Sequence, residues 1–175
     1  MKLKTPLTNK DIEALKSGDK VELSGIIYTA RDAAHSKLVE LISKGNELPI
    51  SLKGQIIYYV GPAPAKPGSV IGAAGPTTSY RMDPYTPQLL EKGLKGVIGK
   101  GARSEKVKKS MIKNKSIYFG AVGGAGALLA KCIKDSKIVA YPELGPEAIR
   151  KLIVKNMPLI VINDIHGNDL YEQEW

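Results

Sequence analysis

Cysteine, histidine and large aromatics are scarce in this chain. It has one Cys (Cys132), two His (His35 and His166), one Phe and one Trp. A single cysteine excludes an intramolecular disulfide framework. Cys132 and the two histidines lie too far apart in sequence to compose a zinc or cluster-binding set. With Phe and Trp this rare, the core must be built mostly from Ile, Leu, Val and Ala. Apolar runs are short as well, and none approaches the roughly 20 residues that span a bilayer. The opening MKLKTPLTNKDIEALKSGD is polar and lacks the apolar stretch of a signal peptide. These absences point to the cytoplasm.

Acidic residues are outnumbered. Lys and Arg total 26 against 17 Asp and Glu, a formal net charge of +9. Such an excess implies anionic partners. Much of it is ordinary solvated surface, as at Lys106, Lys108, Lys109, Lys113 and Lys115. No RNP-like aromatic motif, zinc-finger spacing or helix-turn-helix signature accompanies it, which ranks small anionic metabolites above nucleic acid.

The 175 residues suffice for one domain with a sizeable core. No repeat and no linker divides them, so residues 1–175 read as a single domain. Short β-rich runs alternate with a few helical patterns, which predicts an α/β chain of mixed strand order. Strands are expected at 21–28, 55–60, 70–74, 96–99, 116–122, 137–141 and 158–162. Helices are expected at 11–16, 31–43, 86–92, 105–114 and 125–133, with another starting over 146–150. Thr8 or Asn9 is placed to cap the first helix. The stretch 61–68, rich in Gly and Pro, is a loop.

GPTTSYRMD (75–83) carries the most chemistry. A Gly-Pro turn ends a strand, and three hydroxyls follow, on Thr77, Thr78 and Ser79, before Arg81. If a helical turn begins there, Thr77 and Arg81 share a face, and free N–H groups suit a carboxylate. Arg81 offers a planar fork that grips a carboxylate with two bonds. An N-cap followed by a surface Arg is the alternative, and on residue chemistry alone the two stand level. In IGKG (98–101) glycines flank Lys100 and permit close approach to a ligand, although a tight turn with an exposed Lys explains this short motif better. TARDAAH (29–35) puts Arg31 near a helix N-terminus with His35 four residues on; a surface Arg31–Asp32 pair and a satisfied His are the alternative. The glycines of YFGAVGGAG (118–126) suggest a dinucleotide loop. No acidic residue follows at the required place, so strand–helix packing is the better account. Cys132, inside an apolar helix, reads as core.

Six segments occur in one order: TARDAAH, GPTTSYRMD, GLKGVIGKG, YFGAVGGAGALLA, YPELGPEA and NDIHGNDLY. Together they resemble the β subunit, or C-terminal-domain type, of the class I iron–sulfur fumarate hydratase and L-tartrate dehydratase family. The likeness runs from about Thr29 to Tyr171. It implies a swivelling β/β/α-type domain with mixed sheets. It also implies a partner α subunit that carries the [4Fe–4S] cluster, which this chain does not ligate, in a hetero-oligomer with the active site between the two parts. By motif, Thr77 corresponds to the family's proposed catalytic base. Arg31, Arg81 and Lys100 correspond to contacts for the substrate's carboxylates. Asp32 and His35 match the motif without a transferred role. The implied reaction is reversible hydration of fumarate to L-malate, with an L-tartrate dehydratase β subunit or a non-catalytic regulatory subunit as alternatives.

Overall fold

A computed structural model describes residues 1–121 and 125–173. Seven strands form one mixed sheet: β1 (Lys2–Lys4), β2 (Lys20–Thr29), β3 (Ile56–Tyr58), β4 (Gly96–Gly99), β5 (Ile117–Gly120), β6 (Ile133–Ala140) and β7 (Ile149–Asn163). Five α-helices accompany them: α1 (Asn9–Glu13), α2 (Asp32–Ser43), α3 (Thr86–Glu91), α4 (Glu105–Asn114) and α5 (Gly126–Cys132). The expected mixed α/β class is observed.

Strands β2, β3, β4 and β5 run parallel, one beside the next. The long β7 then pairs antiparallel with both β5 and β2, which closes a ring of five strands. β1 adds to β2, and β6 adds to the first half of β7. In β3 to β5 the side chains alternate between two buried environments. Ile56, Tyr58, Ile98, Ile117 and Phe119 join one core with residues of β2 and β7. Ile57, Tyr59, Val97 and Tyr118 join the other, against Ala34 and Leu38 of α2, Leu89 and Leu90 of α3, and Val107 and Met111 of α4. Burial on both faces is why these short strands read as continuous apolar runs.

Local signals explain several boundaries. Thr8 and Asp11 form a capping box at the start of α1. Ser104 accepts from Val107 N–H at 3.4 Å and starts α4, which ends on Lys115 in the left-handed region. β7 contains Pro158, which cannot donate to a ladder. The strand accommodates it opposite Glu22, near Asn156 at φ 50° and a register shift between Leu23 and Gly25.

Other boundaries depart from expectation. The run 70–74 is no strand: Ala63 N–H donates to Ala73 C=O and Gly72 N–H to Ala63 C=O, so it folds back on its own loop. The helix expected from 146 is also absent. Pro142–Glu147 is an irregular 3-10 segment with Gly145 at φ 58°, and the chain enters β7 at Ile149. There the ladder of Ile149 and Arg150 with β6, continued by Lys151–Val154 between β6 and β2, prevails over the helix start that Pro146 suggested. α1 stops at Glu13, and β6 starts directly after α5, at Ile133, four residues earlier than expected. The strand expected over 116–122 is observed at Ile117–Gly120, while Val122 and the turn at Gly123–Gly124 lie outside the described residues. Cys132 ends α5 half-buried, against the margin of a core and not within it.

Candidate active site

The parallel strands deliver their carboxyl ends to one side of the ring. Ala30–Arg31 follows β2, Tyr59–Gly61 follows β3, and Lys100 follows β4. Open α/β sheets bind ligands at such ends. Backbone bonds tie these segments together. Ala30 N–H donates to Tyr58 C=O at 3.2 Å, Tyr59 N–H to Ile98 C=O at 2.9 Å, and Thr77 N–H to Tyr59 C=O at 2.7 Å. Ser79 N–H donates to Lys100 C=O at 2.9 Å, and Thr78 and Lys100 form an isolated parallel bridge. The segment after β3 therefore has the TARDAAH segment on one flank and the GPTTSYRMD segment on the other.

Thr29 fastens the first flank. Its hydroxyl donates to Ala148 C=O at 3.2 Å and accepts from Arg150 N–H at 3.0 Å. That brings Glu147 to Arg31, with Nε to Oε1 at 3.9 Å. Arg31 stands at the N-cap position of α2 without capping it. Its guanidinium lies over Gly61, where a Cβ would come within 2.8 Å of Nη1.

Asp32 joins the two arginines. Its Oδ1 accepts from Arg81 Nε at 3.0 Å, and its Oδ2 lies 3.7 Å from Arg31 Nη2. Arg81 is 45% exposed. A pair this open contributes about 0.2–1 kcal/mol, so its main effect is on orientation. Held by Nε, Arg81 keeps its terminal nitrogens available for another acceptor. Lys100 is exposed and makes no ion pair among the described residues. The half-buried Thr77 has no side-chain hydrogen bond among them either.

One detail differs from the expected geometry. The helical turn starts at Ser79 and is a 3-10 turn (Ser79–Met82), so Thr77 lies outside it. The N–H groups of Thr77 and Ser79 are engaged by backbone carbonyls and are not free for an anion. The site's positive charge therefore comes from side chains: Arg31, Arg81 and Lys100.

Beneath this surface lies a group that no motif signalled. Arg103 is fully buried, with Nε donating to Asp83 Oδ1 at 2.7 Å. Nη2 donates to Thr86 Oγ1 at 2.9 Å and to Tyr59 Oη at 3.3 Å. A charge and three hydroxyl or carboxylate partners spread over 59, 83, 86 and 103 leave no spacing signal in the sequence. His35 is buried too. Its Nδ1–H donates to Arg31 C=O at 2.7 Å, and its ring packs edge-on against Tyr59.

Burial pushes the His35 imidazole from 6.5 down to about 4, with the Arg31 carbonyl opposing and the Arg103 charge assisting. The folded chain thus resists a proton that the unfolded chain accepts below 6.5. Stability falls as pH drops from 6.5 towards 4, by about 2–3 kcal/mol from this group. Urea unfolding of the wild type and His35→Gln at pH 7 and pH 4.5 checks this. The variant should lose that part of the pH dependence.

A cleft of about 500 Å³ is lined by residues of the 63–73 loop together with Ala127, Ala130 and Lys131 of α5. None of Arg31, Thr77, Arg81 and Lys100 lines it. Gly126 lets α5 approach the backbone at Ala74–Gly75, since a Cβ there would meet Gly75 N at 3.1 Å. Close packing is thus the role of this glycine, as expected for the motif; Gly123 and Gly124 lie outside the described residues. No group of three His, Cys, Asp or Glu suited to a metal exists among the described residues. Cys132 points towards the carbonyls of Leu128 and Asn156. These residues do not fit a [4Fe–4S] cluster. No helix among the described residues is long and apolar enough to cross a membrane.

The model of the fumarase C-terminus family matches residues 1–174. The chain belongs to that family. Relatives agree. A putative class I fumarate hydratase of Geobacillus stearothermophilus is 40% identical over 175 residues, covering 97% of this chain and 33% of the relative. The anaerobic class I fumarate hydratase of Escherichia coli is 44% identical over 156 residues, covering 88% and 28%. The chain thus spans about a third of these relatives' length. A putative L(+)-tartrate dehydratase subunit beta of Methanocaldococcus jannaschii differs in scale. It is 41% identical over 173 residues, covering 95% of this chain and 89% of the relative.

Proposed function

We propose that this chain is the β part of a fumarate hydratase, a hydro-lyase that interconverts fumarate plus water with L-malate. One observation carries the reading. Arg31 and Arg81, joined through Asp32, share the carboxyl-end face of the ring with Lys100 and Thr77. That is an open cationic surface beside an unengaged hydroxyl, in a family named for fumarase.

Each residue has a task in this reading. Arg81 and Arg31 bind the carboxylates of a small dicarboxylate, with Asp32 fixing the Arg81 fork. Removing a proton from the carbon beside a carboxylate moves negative charge onto that carboxylate. Arg31, Arg81 and Lys100 stabilise it there, most strongly once water is excluded. Thr77 carries the proton. A hydroxyl is a weak base, and the neighbouring cations lower the cost of its charged form.

The face is open because it is half a site. The other half is assigned to an α subunit, whose residues also hold the [4Fe–4S] cluster that this chain's residues do not fit. The β/β/α-type domain, 1–175, swivels to close on that partner in the cytoplasm, in a hetero-oligomer.

A second reading, an L-tartrate dehydratase β subunit, draws support from the Methanocaldococcus jannaschii relative, which this chain matches almost end to end. The reconstituted complex separates the two. Turnover of fumarate and L-malate should exceed that of L-tartrate at equal concentration. A reversed preference assigns the chain to tartrate dehydration.

A further inference from the structure

We propose that Arg103 and Asp83 are a positioning pair, a latch under the site that sets the spacing between the turn carrying Arg81 and the loop carrying Lys100. This rests on the site reading given above. Asp83 closes the 3-10 turn two residues after Arg81, and Arg103 stands three residues after Lys100. The carboxylate of Asp83 engages two adjacent residues of the opposing segment. Oδ1 accepts from Arg103 Nε at 2.7 Å, and Oδ2 accepts from Ser104 N–H at 2.7 Å.

The guanidinium packs against two aromatic rings as well as being bonded. Its carbon lies 5.3 Å from the Tyr59 ring and 5.1 Å from the Tyr118 ring. Tyr118 extends the same bridge. Its hydroxyl donates to Gly101 C=O at 2.7 Å and accepts from Ser79 Oγ at 2.9 Å. Tyr59 donates to Thr86 Oγ1 at 3.1 Å, and Thr86 donates to Met82 C=O at 2.9 Å. Gly99 leaves room for this contact, because a Cβ there would overlap Ser79 Oγ. The turn 79–83 and the loop 100–104 are thus joined directly, from Asp83 to Arg103 and Ser104 and from Ser79 N–H to Lys100 C=O, and through Tyr118 and Thr86.

Stability alone explains the pair poorly. Desolvating two charges costs more than an apolar pair of the same shape, and such replacements are often neutral or stabilising. Arg103 Nη1 is buried without a hydrogen-bond partner, an additional cost. The arrangement does fix direction and distance between two loops. Misplacing a reacting group by about 1 Å can cost about 100-fold in rate.

The test uses Arg103→Met, Arg103→Lys and Asp83→Asn in the full chain, free and reconstituted with its partner. Thermal unfolding, kcat and KM, and amide exchange at Ser79 are measured. Arg103→Met leaves the Asp83 carboxylate without its counter-ion and should unfold below the wild-type temperature. At a temperature where it stays folded it should still lose about 100-fold in kcat/KM. Arg103→Lys, which keeps the charge, should recover part of this. Ser79 N–H, bonded to Lys100 C=O, should exchange at least about tenfold faster in Arg103→Met, as expected when its bond opens more often. If Arg103→Met does not fold, the isosteric Asp83→Asn carries the same expectations. Wild-type kcat/KM with unchanged Ser79 exchange overturns the latch, and so does activity lost only in step with thermal stability. Should the wild-type complex hydrate no dicarboxylate, the site reading fails, and the Ser79 exchange still decides the latch.

Discussion

Thr77→Ala is expected to lower kcat by roughly 10²–10⁴-fold, the range associated with a positioned proton carrier. The substitution removes a hydroxyl that holds nothing together. No side-chain hydrogen bond of Thr77 occurs among the described residues, and its backbone N–H keeps its 2.7 Å bond to Tyr59 C=O. Folding and association with the partner should therefore survive. KM should move little, because the arginines that bind the substrate are untouched. Thr77→Ser retains the hydroxyl and should restore most of the rate. The measurement is anaerobic steady-state turnover of the reconstituted complex, with thermal unfolding as the control. A Thr77→Ala complex with near-normal kcat removes Thr77 from the chemistry.

Arg81→Lys should cost roughly 10- to 150-fold in kcat/KM. The change preserves charge and removes the planar fork. A hydrogen bond to a charged group contributes about 1.5–3 kcal/mol, and the loss of one gives that range. Lysine's donors all sit on one nitrogen, so it cannot hold Asp32 and still offer a planar two-nitrogen fork to a carboxylate. Stability should change by under about 1 kcal/mol, since the Arg81–Asp32 pair is largely open to solvent. Fumarate saturation curves of the two complexes check this. An unchanged kcat/KM would mean that charge alone suffices at position 81, and that no bidentate grip exists there.

Both variants probe residues that the sequence made visible. The hydroxyl cluster after Gly75-Pro76, the arginine at the end of β2 and the lysine between glycines all stood out by type and spacing. The structure gathers their segments at the carboxyl ends of β2, β3 and β4. Strand β4 and helix α4 were legible to the residue, because a glycine-bounded apolar run and a Ser cap are local signals. The segment 146–150 was not legible. Pro146 is a good first residue for a helix, and pairing on both edges of β7 overrides that preference. The run 70–74 misled in another way. Its small residues serve close approach to 63–64, where a Cβ at Gly72 would overlap the carbonyl of Ala63. Asp32 and Arg103 show why the contacts that support the site stayed hidden. Asp32 acts through an arginine 49 positions away, and Arg103 through groups at 59, 83 and 86. Such partners are set by which loops the sheet brings together, and no periodicity records that.

The claim that this chain supplies half of a shared site is tested most directly by fumarate hydration with the purified chain alone, its cysteine-bearing partner alone, and the two mixed without oxygen. The account predicts negligible L-malate formation from either chain and robust turnover from the mixture. Hydration that the partner sustains alone at the same rate, or a mixture that stays inactive with its cluster intact, would contradict it.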